Sequence, residues 1–237
     1  MIAGIIAAGE GSRLRAEGMD VLKPLVRVEG VPLIERLIRI FLRHGVTELC
    51  CIVNEYSLEV KEYVESCGFP VPLSFVVKTT ESSMHSLFAL EPYLRKERFL
   101  LSTVDAIFLE EEFARYLRAS MASSAAGVLA VTDFIDDENP LYVSRDDSGA
   151  ITGFSKTESS AWVTGGLYVF SPAIFRERET VLKAGIERLR NYLGHLASKG
   201  YRLEGYPFSK IVDVDHVSDI ATAEKWIAGG YGGRTAG

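Results

Sequence analysis

The sequence that decides the fold is Ala7-Ala8-Gly9-Glu10-Gly11-Ser12-Arg13-Leu14, with Lys23-Pro24-Leu25 shortly after it. The residues before it, 1–6, are short and apolar, which predicts a strand buried on both faces. Glycines after such a strand let the backbone approach an anion, and successive N–H groups can point at phosphate oxygens. Arg13 adds a planar fork of donors and Lys23 a flexible point charge. The stretch therefore predicts a phosphate site.

Several kinds of glycine loop compete for this stretch. A dinucleotide-binding turn needs a third glycine where Leu14 stands, and a P-loop needs a Gly-Lys-Ser/Thr ending that is absent. If this stretch were a turn without a ligand, Arg13 and Lys23 would lie beside a buried strand with no anion to balance their positive charges. The order of apolar strand, Ala-Ala-Gly-x-Gly-x-Arg and Lys-Pro-Leu resembles the N-terminal signature of the sugar-phosphate nucleotidyltransferases. The molybdenum-cofactor nucleotidyltransferases share this first motif.

Composition excludes some classes of protein. The chain has 237 residues, 47% apolar and 24% charged, which is ordinary for a soluble globular protein. Its net charge of −6 argues against a nucleic-acid partner. The three cysteines, Cys50, Cys51 and Cys67, have no zinc spacing and indicate reduced thiols. No apolar run reaches the length of a membrane span and no basic leader is evident, so we expect a cytoplasmic protein without a membrane partner.

Apolar periodicity alternates between strands and helices along the first half of the chain. Strands are expected at 49–53, 72–77 and 126–132, and helices at 58–67 and 110–120. This order predicts a single Rossmann-like three-layer α/β/α domain with a mostly parallel mixed sheet. The domain is expected to span 1–228, with a nucleotide-binding half at 1–132, an acceptor-binding half at 133–228 and a flexible tail at 229–237. Two short strands, 141–145 and 150–154, predict a small β-hairpin insertion for the acceptor.

The segment 99–108 predicts a central strand that ends in Asp105. Ligands of open α/β sheets bind beyond the carboxyl ends of the strands, where the Gly9–Arg13 loop should also lie. The resembled family has Gly-Asp at this place, whereas this chain has Val104-Asp105. The resemblance makes Asp105 a metal ligand. The alternative is a helix-capping or loop carboxylate.

A third acidic site is Asp213-Val214-Asp215. Strand alternation puts the carboxylates of Asp213 and Asp215 on one side, where they repel each other unless a cation lies between them. The segment resembles the Asp-x-Asp ending of the same family. With Asp105, the two carboxylates are expected to hold one or two Mg²⁺ ions, which favour one or two carboxylates together with phosphate oxygens and waters.

The resemblance also assigns ligand-binding residues. Ser82 and Ser83 open a segment that corresponds to the base and ribose contacts of the family, although serines that begin a helix are an equal explanation. Lys156 and Gly166 correspond to acceptor contacts, with a solvated lysine and a β-bulge as the alternatives. The expected nucleotide contacts are Ala7, Ala8, Gly9, Gly11, Ser12, Ser82 and Ser83.

Condensing a nucleoside triphosphate with a phosphomonoester brings two polyanions together, so cations are needed around the reacting phosphate. Arg13 and Lys23 are the expected catalytic residues. The predicted reaction joins an NTP and a sugar 1-phosphate to give an NDP-sugar and pyrophosphate. A cytidylyltransferase for phosphocholine or inositol phosphate is the alternative acceptor class, and a non-catalytic nucleotide-binding module is the alternative of another class. The nucleobase and the oligomeric state are not predicted.

Overall fold

The computed structural model describes residues 1–135, 139–157 and 160–230. Its strands are β1 Ile2–Ile6, β2 Arg27–Val28, β3 Val31–Pro32, β4 Glu48–Val53, β5 Leu73–Val77, β6 Phe99–Thr103, β7 Ala106–Ile107, β8 Gly127–Thr132, β9 Tyr142–Arg145, β10 Ile151–Ser155, β11 Val163–Phe170, β12 Leu203–Phe208 and β13 Val212–Asp213. Its helices are α1 Ser12–Ala16, α2 Leu33–Arg43, α3 Leu58–Ser66, α4 Ser83–Leu94, α5 Glu110–Ala122, α6 Arg178–Lys183, α7 Leu189–Ser198 and α8 Val217–Gly230, with 3₁₀ turns at Lys23–Leu25 and Pro172–Glu177.

A nine-stranded mixed sheet forms the centre of the molecule. Its main path is β10-β9-β11-β6-β1-β4-β5, and β8 pairs with both β11 and β12. Strand β1 is parallel to β4 and β6, and β4 is parallel to β5. Strand β11 runs antiparallel to β6 and β8. The predicted single α/β domain with a mostly parallel mixed sheet is confirmed.

Apolar side chains fill both faces of the sheet. On one face, buried residues of α2, α3 and α5 pack with the odd-numbered side chains of β1. On the other face, buried residues of α4 and α7 pack with Ile2 and Ile6. Because the strand side chains alternate between the two clusters, both faces of β1 are covered, as its continuous apolar sequence predicts. The three-layer arrangement follows from this.

The predicted hairpin is present as β9 and β10, which pair antiparallel. Its turn is held by Asp146, whose Oδ1 accepts hydrogen bonds from the backbone N–H groups of Ser148 (2.9 Å) and Ala150 (3.0 Å). The hairpin joins the main sheet through the pair of Val163 with Tyr142. It therefore extends the sheet at one edge.

Most expected elements differ from the observed ones by one or two residues at their ends, and three differences concern the acidic residues or the end of the chain. The expected strand 99–108 breaks after Thr103 into a turn, and β7 pairs with β13 in a separate two-stranded ribbon. Strand β13 ends at Asp213, so Asp215 lies beyond it. Helix α8 continues to Gly230, two residues into the segment expected to be a flexible tail, and residues 231–237 lie outside the described part of the chain.

Candidate active site

The glycine loop continues directly from β1. The backbone N–H of Ala7 still donates to the carbonyl of Ile52 (2.9 Å), after which the chain leaves the sheet and turns into α1. Gly11 begins this helix with φ +60°, and a Cβ placed on it would lie 2.9 Å from Cβ of Lys23. Gly11 is therefore required for the close approach of the Lys23 segment. Gly9 and Ser12 are exposed and Ala8 is half-buried, so the loop is open to solvent.

Four of the predicted residues form one chain of ion pairs, which we call the charge cluster: Arg13, Lys23, Asp105 and Asp215. Nζ of Lys23 donates to Oδ2 of Asp105 (2.5 Å) and to Oδ1 of Asp215. Nη1 of Arg13 donates to Oδ2 of Asp215 (2.6 Å). The residues come from the start of α1, the 3₁₀ turn, the turn after β6 and the segment after β13, so the fold assembles the cluster from distant parts of the sequence.

Burial and pairing oppose each other at Lys23. Its side chain is only 9% exposed, and burial alone lowers the pKa of an ammonium group. The carboxylates of Asp105 and Asp215 outweigh that effect, and the pKa of Lys23 is raised. At Asp105, burial raises the pKa, but the charge and hydrogen bond of Lys23 outweigh it, and the pKa of this carboxyl is lowered. Both pKa shifts favour the charged form of the group, so the Lys23–Asp105 pair stays ionised near neutral pH.

Backbone hydrogen bonds place the two carboxylates of the cluster side by side. The N–H of Val214 donates to the carbonyl of Asp105 (3.1 Å), next to the ladder between β7 and β13. Asp215 is then oriented by Asp219, whose Oδ2 accepts from the backbone N–H groups of Asp215 (2.8 Å) and His216 (2.6 Å). Sequence reasoning missed Asp219. Its position in the first turn of α8, where an acid can bond back to the residues preceding the helix, was the available signal.

A cleft opens beside the charge cluster. Charged side chains, two threonines and apolar side chains all contribute to its lining. Its lining comprises Arg13, Thr132, Phe134, Pro140, Val163, Thr164, Gly165, Ile211, Asp213, Asp215, His216 and Asp219. Asp213 and Asp215 thus face the same cleft, as predicted, although a turn rather than strand alternation brings Asp215 there.

Ser82 and Ser83 lie at the start of α4, as predicted. Their hydroxyls do not cap this helix. The Oγ of Ser82 accepts from the backbone N–H of Arg188 (3.0 Å), and the Oγ of Ser83 accepts from the backbone N–H of Leu189 (3.1 Å). The two serines therefore fasten α4 to the start of α7, and a nucleotide contact by them stays a prediction.

The two expected acceptor contacts lie in different surroundings, and Gly166 is close to one of the predicted carboxylates, since a Cβ added there would lie 3.7 Å from Oδ1 of Asp213. Gly166 is buried at a register shift of β11 against β8, where its φ is +72° and an added Cβ would lie 2.4 Å from Oγ1 of Thr103. This is the β-bulge considered as the alternative from the sequence. Lys156 is exposed after β10 and is not among the residues that line the cleft. Acceptor binding by either residue stays a prediction, and Gly165 is the glycine that lines the cleft.

The donor set fits a magnesium ion. The carboxylates of Asp105 and Asp215 converge on a single atom, Nζ of Lys23, and their side chains are 20% and 32% exposed. Hard carboxylate oxygens accessible to solvent are what Mg²⁺ binds when it keeps waters and substrate phosphates as its other ligands. Within the described residues, no three His, Cys, Asp or Glu side chains are grouped as metal ligands, so Asp213 does not complete a three-carboxylate site here.

Comparison with known proteins gives the family. Residues 3–165 match the MobA-like NTP transferase domain. The chain belongs to that family. This confirms the nucleotidyltransferase resemblance, since the match contains the glycine loop, Lys23 and Asp105. The match ends before Asp213 and Asp215, so it carries no information on that acidic segment.

In the described part of the chain, no helix is both long and apolar enough to cross a membrane.

Several curated proteins and solved structures are similar to this NTP transferase. It is 31% identical to the "Bifunctional IPC transferase and DIPP synthase" of Rubrobacter xylanophilus over 96% of its own length and 52% of that protein. It is 25% identical to a "Probable glucose-1-phosphate cytidylyltransferase" of Bacillus subtilis over 74% of its length and 76% of that protein. The chain thus spans about half of the first relative. The fold matches the inositol-1-phosphate CTP transferase of T. maritima with a TM-score of 0.82 at 21% identity, over 99% of this chain and 98% of that one.

Proposed function

We propose that this protein is a Mg²⁺-dependent nucleotidyltransferase that joins an NTP to a sugar 1-phosphate and releases pyrophosphate. The observation that carries the proposal is the charge cluster at the end of the glycine loop, where two cations and two carboxylates meet beside a cleft. A reaction between two polyanions needs this combination of charges, because the cations offset phosphate repulsion and the carboxylates can hold a divalent metal.

Each residue has a distinct part in this proposal. Arg13 is 38% exposed, so its guanidinium can turn from Asp215 to the triphosphate and the leaving pyrophosphate. Lys23 is buried and held by two carboxylates, so it supplies a fixed positive charge beside the reacting phosphate. Asp105 and Asp215 would hold Mg²⁺, which stabilises negative charge on the phosphates when bound. The acceptor phosphate is already an anionic nucleophile, so this chain needs no general base.

The nucleotide is proposed to lie on the glycine loop, with Ala7, Ala8, Gly9, Gly11 and Ser12 around its phosphates. Ser82 and Ser83 would lie nearer the base, and Lys156 and Gly166 nearer the acceptor. The division into a nucleotide half, 1–132, and an acceptor half, 133–228, belongs to the same proposal. Three buried or half-buried free thiols support a reducing, cytoplasmic location, and the net charge of −6 supports small anionic substrates rather than nucleic acid as partners.

A second acceptor class is favoured by a specific observation. The Rubrobacter xylanophilus relative matches 96% of this chain at 31% identity, and it is named a bifunctional IPC transferase and DIPP synthase. A solved protein of the same fold is an inositol-1-phosphate CTP transferase. Cytidylyl transfer to inositol phosphate is therefore the second candidate. The relatives named for glucose 1-phosphate support the first candidate.

The deciding experiment is pyrophosphate release with Mg²⁺ from ATP, CTP, GTP, UTP and dTTP, each against sugar 1-phosphates, inositol 1-phosphate and phosphocholine. We expect release with one nucleotide and one acceptor class, and its loss in the Asp105→Asn variant. Release that needs no acceptor, or equal release by the variant, would contradict the mechanism. Nucleotide binding without release from any pair would favour the non-catalytic nucleotide-binding module.

A further inference from the structure

Helix α1 is attached to the segment 215–217 at both of its ends. Near its start, Nη1 of Arg13 donates to Oδ2 of Asp215 (2.6 Å). Just past its end, the carboxylate of Glu17 accepts from Nδ1 of His216 (2.5 Å) and from the backbone N–H of Val217 (2.7 Å). The contacts span about 200 positions of sequence, so they join the glycine loop to the last acidic segment of the chain.

The two attachments differ in what a nucleotide would do to them. In the proposed function, Arg13 turns to the triphosphate and therefore gives up part of its contact with Asp215. Lys23 would still hold Asp215, but Lys23 lies outside α1, so the contact of α1 itself with the acidic segment would then depend on other residues of the helix end. The contacts of Glu17 involve His216 and Val217 and do not depend on Arg13. Asp219 fixes the same segment from the side of α8, through the backbone N–H groups of Asp215 and His216.

We infer that Glu17 is a positioning residue that keeps α1 docked on the segment 215–217 while Arg13 exchanges Asp215 for the nucleotide phosphates. The inference rests on the proposed function for the exchange made by Arg13 and for its kinetic consequence, whereas the attachment through Glu17 is a contact of the structure. Glu17 touches neither substrate nor metal in this arrangement. It acts by holding the glycine loop and Asp215 at one distance, so that the loop that binds the triphosphate and the carboxylate that binds Mg²⁺ stay in register.

Hydrogen–deuterium exchange without substrates tests the attachment. Arg13→Ala imitates the released arginine, and we expect peptides covering 10–18 and 213–220 to keep most of their protection in it. In the double variant Arg13→Ala/Glu17→Ala, both peptides should lose protection together, because the contacts of Arg13 with Asp215 and of Glu17 with His216 and Val217 are both removed. Arg13→Ala/Asp20→Ala is the matched control, since Asp20 is an exposed carboxylate further along the same connecting segment. Exchange in β4 serves as the internal reference for global unfolding.

Kinetics supply the second readout. Glu17→Ala should raise the KM for the NTP roughly two- to fivefold, as expected for an exposed ion pair and hydrogen bond, with a smaller change in the KM for the acceptor. Glu17→Gln keeps an acceptor for the N–H of Val217 and should fall between this variant and the wild type.

The inference is overturned if Arg13→Ala alone deprotects both peptides as fully as the double variant does, or if the double variant exchanges like the wild type. An unchanged KM for the NTP in Glu17→Ala would also overturn it. The exchange experiment needs no turnover, so a failure of the proposed reaction and a failure of this inference give separate results.

Discussion

Nζ of Lys23 lies 2.5 Å from Oδ2 of Asp105, across 82 positions of sequence. The lysine follows the glycine loop and the aspartate follows the central strand β6. Their pairing joins two loops that leave neighbouring parallel strands at the same edge of the sheet. The contact is at once an ion pair of the fold and part of the candidate active site, so substitutions here act on stability and on chemistry.

Lys23→Ala should destabilise the protein by about 2–4 kcal/mol, because it leaves two carboxylates close together without their shared cation. Equilibrium urea unfolding measures the change. Adding Asp105→Asn to Lys23→Ala should recover part of the loss, since it removes one of the uncompensated charges. Additive effects of the two substitutions would contradict a direct coupling.

Arg13→Ala should behave differently from Lys23→Ala. The Arg13 side chain is 38% exposed and its ion pair with Asp215 is solvated, so its removal should change the free energy of unfolding by less than about 1 kcal/mol. We nevertheless expect it to remove most turnover, because its charge is proposed to meet the triphosphate. The two measurements are urea unfolding and pyrophosphate release. Near-native turnover would exclude Arg13 from the reaction.

Stability should depend on the ionisation of Asp105 in acid. Its pKa is lower in the folded protein than the value of about 3.9 expected when unfolded, so its contribution is fully present above that value and is lost as the pH falls through the folded pKa. The stability difference between wild type and Asp105→Asn should be constant from about pH 7 to pH 5 and shrink below about pH 4. Urea unfolding at each pH checks this. A difference that grows in acid would reverse the sign of the argument.

Gly166→Ala should lower stability by about 1–3 kcal/mol, because alanine is strained at φ +72° and its Cβ would meet Thr103. Gly194→Ala is the matched control. Gly194 lies inside α7, where an added Cβ would meet no atom within 4 Å apart from its chain neighbours and the backbone of its own helix, and this substitution should stabilise by about 0.5–1 kcal/mol. Thermal unfolding of both variants tests the pair. Opposite signs are expected.

Only one of the three thiols should react readily in the native protein. Cys50 and Cys51 are buried, and burial raises the pKa of Cys51 to about 12 and raises that of Cys50 as well. Cys67 is partly exposed at the end of α3. A colorimetric thiol titration should count one group in the native protein and three in guanidinium chloride. Cys67→Ser should abolish the native reaction, and persistent reaction would show that a buried thiol is accessible.

Much of the fold could be predicted from the sequence because its signals are local. The apolar sequence of β1, the glycines after it and the Asp146–Gly149 turn each act through neighbouring residues, and the corresponding elements are present. The break after Thr103 was not predicted, since apolar residues continue through it to Phe108. After the break, β7 pairs with β13, and no local sequence pattern predicts this tertiary pairing.

The sequence indicated which residues would lie in the candidate site, but not which of them would contact each other. Sequence patterns selected Arg13, Lys23, Asp105 and Asp215, since glycine loops and strand ends mark the ligand edge of such sheets. That Lys23 bridges both aspartates depends on side-chain packing over long sequence separations. Ser82 and Ser83 show the opposite case. A hydroxyl group that could bind a ligand can equally accept a hydrogen bond from a backbone N–H group. The structure shows that both serines accept from N–H groups at the start of α7.

Strand β8 ends at Thr132, and the two strands that flank it among the described residues, β11 and β12, both come later in the chain. A fragment that stops at Thr132 would carry β8 with both of its backbone edges open, and β6 would lose its β11 neighbour as well. Open edges of apolar strands recruit other chains. The first half of this protein should therefore aggregate when it is expressed alone and regain solubility when the second half is supplied in the same cell.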